Sequence, residues 1–111
     1  MNMAITHDQF QLIKAGTKTI EVRLNDAKRR QLRPGNHITF TDLTTGAELR
    51  VQVSAIDHFA SFTALYTAFP GPQVGAAVND SVAKMTQDTY QHYNPAQERA
   101  TGVLAIHISL N

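Results

Sequence analysis

The amino-acid sequence predicts an α+β domain, in which short helices flank a small antiparallel or mixed sheet that curls into a barrel of about five or six strands. Four segments alternate apolar and polar residues with the period of two that is typical of half-buried strands. Three further segments space their apolar residues as short helices do. Strands and helices do not alternate regularly along the chain, which argues against a parallel sheet built from β-α-β units.

The composition is that of an ordinary globular protein. The chain has 111 residues, of which 42% are hydrophobic and 17% charged, so we expect one domain spanning residues 1–111. Cysteine is absent, which excludes disulfide bonds, thiolate metal sites and a cysteine nucleophile. The N-terminal residues lack the pattern of a signal peptide, and no apolar run approaches the roughly 18 residues of a membrane span. We therefore expect a cytoplasmic protein with no membrane partner.

The first predicted helix begins near His7 and ends at Gly16. Thr6 and Gln9 have the spacing of a capping box, in which each side chain bonds the backbone N–H of the other residue. Glycine readily takes the left-handed conformation that ends many helices. The segment 20–24, which reads IEVRL, then alternates as a strand. The charged residues of this strand are thus expected to project from a rigid element.

The middle of the chain predicts a turn followed by a β-hairpin. Residues 27–32 are expected to form a brief helical turn, and the Pro-Gly-Asn sequence at 34–36 is typical of a tight turn. Strands over 37–41 and 49–53 are separated by a short polar turn, so we expect them to pair as a hairpin.

The last third of the chain predicts two helices and a terminal strand. Ser61 can cap a short helix over 62–69, which the following Pro-Gly-Pro sequence ends. Residues 73–80 are expected to form a loop, and 81–92 a third helix. The alternating segment 102–110 completes the sheet as its final strand.

The segment 16–23 carries a charged motif that resembles the G-x-K-x-x-E-x-R signature of ASCH domains. Here the four residues of the motif are Gly16, Lys18, Glu21 and Arg23. The resemblance extends over essentially the whole chain: it includes the turn at 34–36 with the strand after it, Phe59-x-x-Phe62-x-x-Leu65, Tyr90-x-x-Tyr93 and the closing strand from Gly102. Membership of this family implies a PUA-like β-barrel flanked by helices.

The resemblance implies an RNA-linked function at the motif, with RNA or a nucleotide-like molecule as the partner. In this interpretation Lys18 and Arg23 bind a phosphate or a polar base edge, and Glu21 orients them or accepts from a base amino group. The spacing predicts that Glu21 and Arg23 share one face of the strand while Lys18 leans toward the barrel mouth. The alternative is a purely structural ion pair of Glu21 with Arg23 or Lys18.

A second hypothesis is a small hydrolase, because some branches of the family resemble acylated-cytidine amidohydrolases or ribonucleases. Lys18 would then activate water or stabilise an oxyanion, and Glu21 would act as general acid and base. In the amidohydrolase branch, however, a threonine nucleophile occupies the position of Glu21 and acts with a downstream glutamate. Thr19 is the nearest hydroxyl, but it lies roughly 6–7 Å from the Glu21 position along the strand, which is too far for it to take over the role of the nucleophile. Asp80 is the only acid between residues 74 and 84, where the downstream glutamate is expected.

A basic cluster and two tyrosines provide further candidate contacts. Eight of the ten Lys and Arg residues lie between positions 14 and 50, and four of them form a compact cluster that can attract an anionic backbone. We call this cluster the basic turn; it consists of Lys28, Arg29, Arg30 and Arg33. A solvated turn without a partner remains the alternative. Tyr93, with Tyr90, can stack on a base, although tyrosines near a helix end also serve as core anchors.

The sequence implies no cofactor. The five histidines are dispersed and lack the spacing of metal ligands, so we expect no metal site. The glycine-rich motifs that bind nucleoside triphosphates and dinucleotides are absent, as is the G-x-S-x-G motif of serine hydrolases. The candidate ligand-binding residues are accordingly Lys18, Glu21, Arg23, Arg29, Arg30 and Tyr93, and the candidate catalytic residues, for an enzyme, are Lys18 and Glu21.

Overall fold

Residues 1–110, which the computed structural model describes, form one curled five-stranded sheet with four short α-helices. The strands are β1 (Asn2–Ile5), β2 (Ile20–Leu24), β3 (His37–Asp42), β4 (Glu48–Phe59) and β5 (Val103–Leu110). The helices are α1 (His7–Lys14), α2 (Phe62–Ala68), α3 (Val82–Thr89) and α4 (Pro95–Thr101), with single 3₁₀ turns at Arg29–Gln31 and Gly71–Val74.

The sheet is mixed, and its strand order is β1-β3-β4-β5-β2. β1 runs parallel to β3, whereas the remaining neighbours pair antiparallel, including the predicted β3–β4 hairpin. The curl brings the two edge strands near each other, so that the Arg23 guanidinium of β2 donates a hydrogen bond of 3.0 Å to the Ala4 carbonyl of β1. The predicted α+β class with a barrel-like sheet is therefore confirmed, and the barrel is bridged by side chains between β1 and β2.

Two hydrophobic clusters lie on opposite faces of this sheet. One fills the inside of the curl with side chains that include Phe10, Phe40 and Val53. The other packs α2 and α3 against the outer face, and it contains Ile20 and Leu24 of β2. Because successive strand residues point to opposite faces, the alternate residues Glu21 and Arg23 project into the mouth of the curl.

The capping box predicted at the start of α1 does not form. The helix begins at His7 as expected, but the Thr6 side chain makes no capping hydrogen bond. The Gln9 side chain is occupied elsewhere: its amide nitrogen donates to the Gly75 carbonyl (3.0 Å) and its oxygen accepts from Lys18. Long-range polar contacts have thus displaced a local one.

Other elements follow the prediction with altered bounds; α3 ends at Thr89, before the predicted end at residue 92, and residues 90–92 form a turn. β2 has the predicted bounds, and Gly16 takes the expected left-handed conformation with φ +82°. β4 is longer than the predicted strand 49–53, because a register shift between Val53 and Ala55 allows it to continue along β5. β1 and α4 were not predicted. Within residues 1–110, no helix combines the length and the apolar character required to cross a bilayer.

Candidate ligand-binding site

The motif segment is held in place by backbone hydrogen bonds at both ends. The left-handed Gly16 turns the chain back on α1, so that the Lys18 N–H donates to the Leu12 carbonyl at 3.1 Å. Thr19 then bonds in two directions: its N–H donates to the Gln73 carbonyl at 3.0 Å, and its carbonyl accepts from the Ile108 N–H at 2.9 Å. The Lys18 backbone is thereby positioned beside the last turn of α1 and shortly before the start of β2.

Lys18, Glu21 and Arg23 form one buried charge network, which we call the motif network. Glu21 Oε1 lies 2.7 Å from Lys18 Nζ, and Oε2 lies 2.7 Å from Arg23 Nη2 and 2.8 Å from Arg23 Nε. Lys18 and Glu21 are only 5% and 4% exposed. Lys18 Nζ also donates to Gln9 Oε1 at 2.6 Å. One carboxylate thus faces two cations, which leaves the network with a net positive charge.

The network keeps Glu21 ionised. Burial by itself would raise the pKa of Glu21, but the charges of Lys18 and Arg23 and their hydrogen bonds hold it below its usual value. For Arg23, burial would lower the pKa, whereas the Glu21 carboxylate raises it above its ordinary value, with a smaller effect of Tyr93. Both groups are therefore charged at neutral pH, and Glu21 is poorly suited to donate or accept a proton in that range.

Both cations retain donors that their protein contacts do not use. An ammonium has three N–H donors, and Lys18 gives two of them to Glu21 and Gln9. A guanidinium has five, and within residues 1–110 Arg23 uses Nε and Nη2 for Glu21 and the Ala4 carbonyl. Within residues 1–110, one Lys18 donor is thus left to a ligand, and the Arg23 donors that Glu21 and Ala4 do not use are shared between the Tyr93 side chain and a ligand.

These donors belong to a cavity of about 610 Å³ that lies between the edges of the curled sheet. Lys18, Glu21 and Arg23 all line it. Val74 and Met85 supply apolar surface, and two tyrosines, Tyr66 and Tyr93, contribute aromatic rings. A concave, partly apolar cavity of this size with a few polar groups is typical of sites for small organic ligands.

The cavity is polarised rather than uniformly basic. Besides the motif network, its lining includes three carboxylates, those of Asp8, Asp80 and Asp88. Lys84 Nζ bridges two of them, at 3.5 Å from Asp80 and 2.9 Å from Asp88, but it does not line the cavity. The expectation of a basic cleft is therefore wrong for this part of the lining, because α1, α3 and the loop before α3 bring acids to it from distant parts of the sequence.

The basic turn lies outside the cavity, so the structure does not place Arg29 and Arg30 with the motif network. The reason is that β2 ends at Leu24 and the chain turns away before these residues. Arg29 pairs with Asp26 at 2.9 Å, whereas Arg30 donates to the Asn25 carbonyl. Lys28, which is exposed, donates to the Asn2 carbonyl of β1 at 3.2 Å.

The two tyrosines of the Tyr90-x-x-Tyr93 segment have different positions. Tyr93 lines the cavity, and its ring stacks on the buried Phe62 ring with 5.7 Å between centroids. Tyr90 packs edge-on against Phe62, and its hydroxyl donates to Glu98 at 2.7 Å. Tyr90 is accordingly a core anchor, while one face of Tyr93 is supported by the core.

Sequence reasoning missed several residues of the cavity. Gln9 accepts a hydrogen bond from Lys18 and lines the cavity. Its spacing from Thr6 instead predicted a role in a helix cap. Tyr66 of α2 belongs to the outer hydrophobic cluster, yet it also lines the cavity, and its hydroxyl lies 2.6 Å from Thr89 Oγ1. Burial, only partly opposed by this hydrogen bond, raises the pKa of Tyr66. Thr19, the hydroxyl nearest to Glu21 in sequence, does not line the cavity.

The fold and the site together define a small PUA-like domain with a charged cavity at the mouth of its sheet. The model of the ASCH domain family matches residues 3–110, nearly the whole chain, and the protein therefore belongs to this family. Among curated proteins, no sequence matches the chain.

Two solved structures resemble the protein over almost their whole length. The crystal structure of hypothetical protein PH0355 has 34% sequence identity and a TM-score of 0.89, with 99% of this chain and 97% of that chain covered. The solution NMR structure of protein PF0455 from Pyrococcus furiosus has 32% identity and a TM-score of 0.74, with 98% and 94% covered. Both similarities support the same fold.

Proposed function

We propose that the protein is a binding module for RNA or a nucleotide-like ligand, and that the cavity receives the base. The observation that carries this proposal is the set of unused donors on Lys18 and Arg23 inside the cavity. These donors suit the carbonyl and ring-nitrogen acceptors of a base edge. Because the ammonium is buried, each hydrogen bond that it gives to a ligand is stronger than the same bond in water.

The rest of the lining supports a base more than a phosphate group. Asp8, Asp80 and Asp88 offer acceptors to amino groups, but they repel a phosphate. Tyr93 presents an aromatic ring that is backed by Phe62, and single-stranded RNA readers commonly stack bases on such rings. A base can therefore accept hydrogen bonds from Lys18 and Arg23 at one end and donate hydrogen bonds to the aspartates at the other.

The hydrolase alternative has less support from the geometry. Both Glu21 oxygens are engaged by cations, and the lowered pKa of this carboxyl keeps it ionised. The threonine that the amidohydrolase branch uses is replaced by Glu21, and a carboxylate does not form and release an acyl-enzyme as a hydroxyl does. Chromatography of acylated cytidine and RNA after incubation with the protein tests this alternative; turnover that Lys18→Ala abolishes would establish it.

The binding proposal is tested by titrating the four ribonucleosides and short single-stranded RNAs. Lys18→Met keeps the stem of the side chain but removes the ammonium, and we expect nucleoside affinity to fall roughly tenfold to hundredfold, as for the loss of a charged hydrogen bond. Lys14→Met is the matched control, because Lys14 is exposed on α1 and lies outside the cavity. Arg23→Lys, which keeps the charge but removes the Nη1 donors, is expected to weaken binding too. Absence of saturable binding to every probe would refute the proposal.

A further inference from the structure

We infer that a single-stranded RNA whose base occupies the cavity leaves it in one direction, along the outer edge of β1 and over the basic turn. This inference rests on the proposed function and adds a second surface to it. The basic turn does not line the cavity, and the ligand-binding role of the motif network leaves it unexplained.

The outer edge of β1 connects the two surfaces. The Met1 and Ile5 carbonyls accept from Thr39 and Leu43 in and beyond β3, at 2.8 and 2.9 Å. Asn2 and Ala4, the alternate residues, turn their carbonyls to the other side, since backbone groups alternate along a strand. Those outward carbonyls are the ones that accept from cations: Ala4 from Arg23 and Asn2 from Lys28.

These two contacts join the cavity to the basic turn along one strand edge. Asn2 and Ala4 are two residues apart on β1, which corresponds to about 7 Å. Arg23, which faces the base in the cavity, and Lys28, which faces the backbone that leaves it, therefore lie at successive positions on one path.

The basic turn keeps most of its charge available. Lys28, Arg30 and Arg33 are exposed, and their contacts within residues 1–110 are main-chain carbonyls, which hold a cation without neutralising it. Among the carboxylates of the described residues 1–110, the basic turn uses one, that of Asp26, which pairs with Arg29 at 2.9 Å. Three exposed positive charges on a short turn attract an anionic backbone, and this attraction weakens as the salt concentration rises.

The remaining rim of the cavity opposes a phosphate chain. Asp8 stands in the first turn of α1, and Asp80 and Asp88 stand at the two ends of α3, with Lys84 between them. Phosphates that passed over these carboxylates would be repelled. The charge distribution thus favours one exit from the cavity, the exit that carries Lys28.

The test compares each ribonucleoside with the matching homopolymeric hexaribonucleotide. We expect the Lys28→Gln/Arg33→Gln double variant to lower hexanucleotide affinity roughly tenfold at low salt, and to reduce the slope of log K against log salt by about 1.4 for two lost phosphate contacts. Nucleoside affinity is expected to stay unchanged. Lys28 and Arg33 are exposed, and within residues 1–110 their side chains contact main-chain carbonyls alone, so the turn is expected to keep its conformation.

Lys14→Gln/Arg99→Gln is the matched control, with the same change of charge at two exposed positions outside both surfaces. Equal hexanucleotide affinities and salt slopes for the two double variants would overturn the inference while nucleoside binding persists. A hexanucleotide that binds the unmodified protein no more tightly than its nucleoside would overturn it as well. Failure of all nucleosides to bind would instead refute the proposed function, and the route with it.

Discussion

Replacement of Glu21 by glutamine removes the one negative charge that the buried Lys18 ammonium and the partly buried Arg23 guanidinium share. The change is nearly isosteric, but it leaves Lys18 without a counter-ion at 5% exposure and Arg23 without one at 14% exposure of its side chain. Glutamine has a single acceptor oxygen, so at least one of the two cations also meets an amide N–H. The loss therefore includes both the Coulomb attraction and a satisfied hydrogen bond.

The expected cost of Glu21→Gln is about 3–5 kcal/mol in the free energy of unfolding, the range measured when a buried ion pair loses one partner. At about 4 °C per kcal/mol for a domain of this size, the Tm falls by roughly 12–20 °C. Calorimetry or circular dichroism on both proteins measures this shift. Glu48→Gln serves as the control, because Glu48 is exposed and its substitution is expected to change the stability by less than about 0.5 kcal/mol.

A fall in Tm no larger for Glu21→Gln than for Glu48→Gln would refute this reasoning. Such a result would mean that water reaches the motif network and screens its charges, as it does for exposed pairs. The buried position of Lys18 would then be no argument for strong hydrogen bonds to a ligand.

The remaining predictions concern pH and the capping box at the start of α4. Because the pKa of Glu21 is lowered on folding, its contribution to stability is fully present above about pH 4.5 and is lost as the pH falls through the folded-state pKa. The Tm measured between pH 7 and 3 should therefore fall less steeply for Glu21→Gln than for the unmodified protein. Parallel curves would contradict the lowered pKa of Glu21. Asn94→Ala removes the capping box that starts α4 and is expected to cost about 1 kcal/mol while nucleoside affinity per folded molecule stays unchanged, as a titration beside thermal unfolding can verify. A parallel loss of affinity would show that α4 shapes the cavity.

Local patterns were sufficient to predict the motif and the elements that carry it. Two kinds of local signal predict these features. The backbone preference of glycine predicts the turn at Gly16, and the alternation of apolar and polar residues predicts the strand 20–24 and the β3–β4 hairpin. The helix cap at Ser61 also forms as predicted, with its hydroxyl accepting from the Ala64 N–H. These features depend on near neighbours, which is why the sequence reveals them.

Features that depend on distant contacts were missed. β1 has only four residues and is defined by its pairing with β3. α4 begins with Pro95, and proline indicates the end of a helix unless Asn94 is recognised as the cap before it. Gln9 fits a helix cap locally, but Lys18 and Gly75 compete for its side chain. No local pattern indicates that acids on α1 and α3 join the motif network at one cavity.

Chemical-shift mapping with a bound ribonucleoside tests the central claim most directly, because it locates the ligand without changing the protein. The account predicts saturable shifts at the Arg23 Nε–H, at the Lys18 side chain and at the Tyr93 ring, with little change on the basic turn. Hexaribonucleotide should then add shifts at Lys28. Nucleoside shifts confined to the basic turn, with the motif network unperturbed, would contradict the claim that the cavity is the binding site.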